Sequence, residues 1–217
     1  MDKSRRLFLQ LGPGAAASFA LATCGRLPSA NSQRTNSQLA QGTELSPTPA
    51  CGAESATPRQ TAGPFYTPNS PERSSLLEPS TTGTVIILTG QVLSSSCTPI
   101  ANTLLDFWHT DDQGQYDNTG YTLRGHQFTD AQGRYRLETI MPGIYPGRTR
   151  HFHVKVQAPG KDLLTTQLYF PGEALNSRDG LYQPELLVAI EAKQEAKQEA
   201  KQEATQPEKQ ATFSFVL

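Results

Sequence analysis

From Thr84 to Leu217 the chain is written in short apolar runs, each cut off by Gly, Pro, Asn or Asp. Thr84 to Leu93, Leu104 to His109, Gly133 to Ile140, His151 to Ala158, Thr165 to Phe170 and Ala211 to Leu217 each carry the alternation of a strand. A period of two sends successive side chains to opposite faces, so each run can bury one face and leave the other for solvent or a site. No stretch of helical period and useful length falls inside this block. Many short strands with turn residues between them predict an all-β sandwich.

The flanks of that block are of different character. Ser4-Arg5-Arg6-Leu7-Phe8-Leu9 is a twin-arginine pattern, followed by a small, weakly apolar stretch from Leu11 to Thr23 that is too short and mild to span a bilayer. Residues 1–24 are therefore expected to direct export of a folded protein to the periplasm or beyond the cytoplasmic membrane. Leu21-Ala22-Thr23-Cys24 resembles a lipoprotein cleavage box, although Thr23 fits it poorly; a lipid on Cys24 would anchor the chain. Residues 25–56 are Ser, Gln, Asn, Thr, Pro and Ala with almost no large apolar side chain, the composition of a solvated tether. Order is expected from 57 to 217, interrupted by a low-complexity insertion at 191–210. Its Glu-Ala-Lys-Gln repeat stacks Glu191, Glu195, Glu199 and Glu203 at i,i+4, and like charges at that spacing weaken a helix that composition would favour.

Cys51 and Cys97 remain once Cys24 is set aside, and a pair of cysteines in an exported protein favours a disulfide; two separate buried thiols are the alternative. The formal charge of −1 and the lack of a basic cluster interleaved with aromatics exclude nucleic acid as a partner.

The chemistry sits around His151-Phe152-His153. In a strand both imidazoles project to one side, with Phe152, Val154, Val156 and Ala158 on the other, core-facing side. Two imidazoles side by side can chelate a transition metal, although such pairs are also common on exposed strands. Tyr145 lies upstream in Pro142-Gly143-Ile144-Tyr145-Pro146, Tyr116 in Asp111-Asp112-Gln113-Gly114-Gln115-Tyr116, and Arg148 stands between Tyr145 and His151. A phenolate is a hard anionic donor, suited to ferric iron rather than to zinc or copper(I). Each tyrosine alone could equally be a turn residue of a sandwich.

Taken together these residues resemble the intradiol ring-cleavage dioxygenases, most closely the protocatechuate 3,4-dioxygenase type. The similarity runs through Gly63-Pro64-Phe65-Tyr66, Asp106-Phe107-Trp108-His109, Gly114-Gln115-Tyr116, Arg124-Gly125-His126-Gln127, Thr129-Asp130, Gly133-Arg134-Tyr135, Pro142 to Tyr145, Arg148 to His153 and Thr166 to Phe170. The resemblance implies an immunoglobulin- or transthyretin-like β-sandwich whose long loops form a metal site. It implies non-haem Fe(3+) held by Tyr116, Tyr145, His151 and His153, with Tyr145 and His153 axial. Arg148 would be catalytic and, with Gln167, would bind substrate; Tyr145 would also take part in catalysis; Trp108 and His109 would pack around the ligands. The implied substrates are an ortho-diphenol and dioxygen, and the product is a muconate-type dicarboxylic acid.

The stretch from Thr129 to Tyr145 is also similar to non-catalytic transthyretin-like sandwiches, so an exported binding module is the alternative reading. Gly147 departs from the protocatechuate enzymes, which carry a bulky aromatic there. The twin-arginine reading is checked directly: changing Arg5 and Arg6 together to Lys should leave the precursor in the cytoplasm, and fractionation that finds it exported as before would refute it.

Overall fold

In a computed structural model, residues 56–191 and 209–217 are described, all of them within one compact unit, Ser46–Leu217. Among these described residues nine strands form two sheets. The strands are β1 (Val85–Leu93), β2 (Leu104–Trp108), β3 (Arg124–Phe128), β4 (Arg134–Ile140), β5 (His151–Gln157), β6 (Leu164–Tyr169), β7 (Ala189–Glu191), β8 (Lys209–Thr212) and β9 (Phe215–Val216). One sheet has the order β4-β1-β8-β7, with β9 also pairing β1; the other has the order β3-β2-β5-β6. The helical content among the described residues is one 3₁₀ turn, Pro184–Leu186. The expected all-β sandwich is the fold observed.

The two inner faces meet in one core. Ile86 and Leu88 of β1 and Leu137 of β4 face Leu105 and Phe107 of β2, Phe152 and Val154 of β5 and Leu168 of β6, all fully buried. Such mutual burial is what the alternating runs require of a two-layer sandwich. Leu88 sits opposite Leu137 on one side and Ala211 on the other, at the middle of its sheet.

Three boundaries differ from the sequence reading. The run from Ala211 to Leu217 is two strands, because its pairing with β1 is interrupted at Phe213 and Ser214. There the Phe213 carbonyl accepts the Tyr135 hydroxyl at 2.8 Å and crowds Gly90 so closely that a Cβ on residue 90 would lie 1.7 Å from it. β1 therefore needs glycine at this crossing. β3 was not expected, since Arg-Gly-His-Gln-Phe has no apolar alternation. Gly125 lets Leu76 and Arg73 pack directly over its backbone, and Arg124 is buried by hydrogen bonding rather than by hydrophobicity. Finally, both ends of the expected insertion are strands: Glu191 of β7 pairs with Gln210 of β8, antiparallel. The repeat between them, residues 192–208, lies outside the described residues, as do the signal segment, Cys24, Cys51 and nearly all of the tether. Cys97 is disulfide-bonded.

Leu88→Ala removes a fully buried side chain from the sheet that does not carry the histidines and should cost about 2–5 kcal/mol. Chemical denaturation of the purified protein should show that loss; a change under 1 kcal/mol would mean that this sheet centre is not tightly packed.

Candidate metal centre

β5 lies between β2 and β6, and its register sets the site. Phe152, Val154 and Val156 enter the core, so His151 and His153 project from the opposite face. His153 pairs across the sheet with Trp108 of β2 on one side and Gln167 of β6 on the other. Directly opposed residues stand close enough to stack, and the His153 and Trp108 rings do so, 4.8 Å apart and 5° from parallel. His151 pairs with Tyr169 in the same way.

The two imidazoles converge, with Nε2 of His151 3.2 Å from Nε2 of His153. His151 Nδ1 lies 2.6 Å from the Thr149 carbonyl, which can only accept, so the ring proton sits on Nδ1 and Nε2 is an acceptor turned toward His153 Nε2 and the Tyr116 hydroxyl. His153 Nδ1 is buried with no hydrogen-bond partner. Metal–nitrogen bonds of about 2.1 Å at a right angle place two nitrogens about 3 Å apart, close to the spacing of this pair.

Two loops bring the tyrosines to them. Asp111 Oδ1 accepts the backbone N–H groups of Gln113 and Gln115 and so folds the first loop back on itself. Gly114, at φ +85°, and Gly143 let this loop pack on the second: a Cβ at 114 would sit 2.3 Å from the Ile144 carbonyl, and one at 143 would sit 2.1 Å from the Gly114 nitrogen. The Gly143 N–H then donates to the Asp111 carbonyl at 2.6 Å. The glycines of the two tyrosine motifs are thus the contact between them. Tyr116 reaches His151, its hydroxyl 3.4 Å from Nε2, and the Tyr116 and Tyr145 rings are 5.9 Å apart. Phe65 stacks on Tyr116 at 4.5 Å and meets Tyr145 edge-on at 5.3 Å.

Arg148 and Gln167 also meet, Nη2 donating to Oε1 at 2.6 Å. The structure therefore gathers Tyr116, Tyr145, His151 and His153, with Arg148 and Gln167 in contact beside them. Trp108 packs as expected, and His109 turns into the core, its nitrogens 2.7 Å from the Thr110 carbonyl and the Thr139 hydroxyl. Two residues with no assigned role in the sequence matter here. Arg124 donates to the Asp117 carbonyl from Nε and Nη2 and to the Phe65 carbonyl from Nη1, tying the Tyr116 loop to the segment that covers it. Asp179 receives Arg148 Nε at 2.8 Å. The long separation of both from their partners hid them; their charge in otherwise ordinary segments was the available signal.

Burial decides the protonation states. It lowers His151 to about 4, against a smaller opposing effect of the Thr149 hydrogen bond, and holds His153 well below the ordinary range, helped by the charges of His151 and Arg148. It raises the Tyr116 phenol to about 12, despite the opposing pull of Arg148 and Arg124. Without a metal these donors are thus neutral: two imidazoles hydrogen-bonded through Nε2 and a protonated phenol. Among the described residues no group of three or more His, Cys, Asp or Glu gathers, so the candidate donor set is the mixed one of two imidazoles and two phenols.

A β-sandwich with such a centre on one face is of the dioxygenase class, and comparison with known proteins agrees. The Dioxygenase_C family model, described as dioxygenase, matches residues 61–217, and the chain belongs to the intradiol ring-cleavage dioxygenase family. The dioxygenase domain of a dioxygenase–carbohydrate-binding protein fusion from Streptomyces sp. SirexAA-E is 48% identical, with a TM-score of 0.67, over 75% of this chain and 97% of that one. The protocatechuate 3,4-dioxygenase beta chain of Burkholderia cepacia is 34% identical over 119 residues, 46% of this chain and 51% of that protein. Catechol 1,2-dioxygenase 2 of Acinetobacter lwoffii is 29% identical over 163 residues, 60% of this chain. The match spans 59% of the length of the Acinetobacter protein and 51% of the Burkholderia one.

The histidines make a pH prediction. His109 and His151 fall from 6.5 to about 4 on folding, so between those values the unfolded chain binds protons that the folded chain does not. Stability should therefore be full above about pH 6.5 and decline as the pH falls toward 4. The carboxyls of Asp117 and Asp179, lowered in the fold, add their loss mostly below that window. Thermal melts of metal-free protein should show Tm falling from pH 7 to pH 4.5, with a shallower fall in His151→Gln. A flat Tm would contradict buried neutral imidazoles.

Proposed function

We propose that this chain opens the ring of a catechol-type ortho-diphenol between its hydroxyl-bearing carbons, using dioxygen and non-haem ferric iron and yielding a muconate-type dicarboxylic acid. The observation that carries the reading is the convergence of two neutral imidazoles and two phenols beside one arginine. The relatives support it, being named for protocatechuate and catechol, both rings with adjacent hydroxyls.

Tyr116, Tyr145, His151 and His153 would hold the iron. Two phenolates against a ferric ion leave one net positive charge, enough to draw in a catechol as its dianion. Bound there, iron would supply Lewis acidity and a template for substrate and dioxygen. His151 keeps its lone pair aimed through the Thr149 carbonyl, and the Trp108 stack holds the plane of His153. Tyr145, half-buried at its loop, can take up a proton at its phenol oxygen as a substrate hydroxyl loses one. Arg148 presents a cation to negative charge developing on the ring. Gln167 fixes one side of that guanidinium and is itself held by donation from Nε2 to the Thr61 carbonyl at 2.9 Å.

Export by the twin-arginine route belongs to the same proposal, because that route carries proteins already folded around a cofactor; a lipid on Cys24 would then keep the domain at the membrane. A disulfide from Cys97 to Cys51 is the pairing we propose for the exported form.

Iron-loaded protein should be red to brown from phenolate-to-ferric charge transfer. Tyr116→Phe and Tyr145→Phe should each weaken or shift the band, and His153→Ala should lower iron content. Arg148→Ala should keep iron and colour while turnover of catechol falls by about 10²–10³-fold. A colourless protein that takes zinc in preference to iron would end the proposal.

A further inference from the structure

Asp179 lies on the loop that follows β6, and its side chain is only 2% exposed. A buried carboxylate must be matched by donors, and every donor it uses belongs to the site or to its own loop. Oδ2 accepts Arg148 Nε and the Thr149 N–H, both at 2.8 Å, and Oδ1 accepts the Leu181 N–H at 2.9 Å. Both sides of the candidate centre hang from those contacts. On one side, Asp179 at Nε and Gln167 at Nη2 fix the guanidinium plane from two edges. On the other, the Thr149 residue whose N–H is held by Asp179 offers its carbonyl to His151 Nδ1 at 2.6 Å. The Thr149 hydroxyl donates to Asn176 Oδ1 at 2.6 Å, so the same loop grips this residue twice.

We propose that Asp179 is a positioning residue of this site: one carboxylate that aims the Arg148 guanidinium and holds by its N–H the residue whose carbonyl sets the His151 tautomer. It touches neither metal nor substrate and acts through Arg148 and Thr149. The proposal rests on the reading of Arg148 as the cation beside the substrate. Its geometry also limits what can replace it. Asparagine has one acceptor oxygen, so its NH₂ must face either the Leu181 N–H or the pair from Arg148 and Thr149, donor against donor.

Asp179→Asn should therefore lower kcat/KM for catechol by about 10–100-fold, the usual scale for losing a partner that orients a catalytic group. The fall should be mainly in kcat, and the share carried by Arg148 should be lost once Arg148 is gone. In the Arg148→Ala background, where only the contact to Thr149 remains to be lost, Asp179→Asn should cost several-fold less than it does in the wild type. Equal losses in both backgrounds, or wild-type kinetics in Asp179→Asn, would overturn the proposal. A second measurement needs no Asp179 variant and no turnover: the Arg148 Nε–H resonance of the full chain, assigned by its disappearance in Arg148→Lys. It is read with gallium(III) in place of iron and again without metal. Slow exchange with solvent is expected in both; rapid exchange would overturn the aiming role even if Asp179→Asn fails to fold. Slow exchange in a protein that cleaves no catechol would instead refute the proposed function and leave the positioning role standing.

Discussion

The pairing of β5 between β2 and β6 is the constraint from which the site follows. Because a strand repeats every two residues, a slip of one position would turn Phe152, Val154 and Val156 out of the core and drive two imidazoles into it. Burial of the apolar triplet holds the register, and the register then dictates everything on the other face. His153 falls beside Trp108 and Gln167, and His151 falls beside Tyr169. The site needs no separate energy source to place its histidines; the hydrophobic core on the reverse of the same strand does it. This also explains why side chains as polar as His151 and Gln167 can be almost wholly buried. They lie on the outer face of one sheet, under the loops and the segment around Gly63 and Phe65, rather than between the sheets.

Loops complete what the strand begins, and they are held by close backbone approach more than by side-chain packing. Gly114 and Gly143 touch where any side chain would collide, which brings Tyr116 and Tyr145 to within reach of one another. Arg124 closes the arrangement from beneath. It is 1% exposed, and its guanidinium is spent on two carbonyls, those of Asp117 and Phe65. Such a cation is costly to bury, and it is tolerated because neutral acceptors and nearby carboxylates together satisfy it. Phe65, fixed by its own carbonyl, covers Tyr116 and meets Tyr145, so the ring faces that must exclude water are set by one buried arginine.

How far the sequence could be read follows from these two kinds of constraint. Period-two alternation is local, so the core strands and the projection of His151 and His153 to one side were readable from β5 itself. The glycine-tyrosine motifs were readable as signatures, though their mutual contact is a matter of tertiary packing. β3 was not readable, because Arg124 and His126 enter a strand through hydrogen bonds that no composition rule anticipates. The same applies to the divided last strand, whose break depends on Tyr135 and Gly90 meeting Phe213 from a distant part of the chain. Asp179 was hidden for the reason that makes it effective: it lies 31 residues from Arg148 and meets it only in the fold.

Charge then explains how four such donors can stand together without a metal. Burial favours the uncharged form of every donor for which it acts, lowering the imidazoles and raising the Tyr116 phenol. A pair of phenolates held there without a cation would repel and would be poorly solvated; a pair of imidazoliums beside Arg148 would fare no better. The neutral set avoids both penalties, at the cost of leaving His153 Nδ1 without a partner while the two Nε2 atoms share a hydrogen bond at 3.2 Å. On the proposed reading, a multivalent cation would replace the proton between the two Nε2 atoms and displace the phenol protons. The proposed selectivity for ferric iron would then lie in protons: a softer, less charged metal would gain the imidazoles but would displace phenol protons far less readily, whereas a ferric ion is acidic enough to displace them.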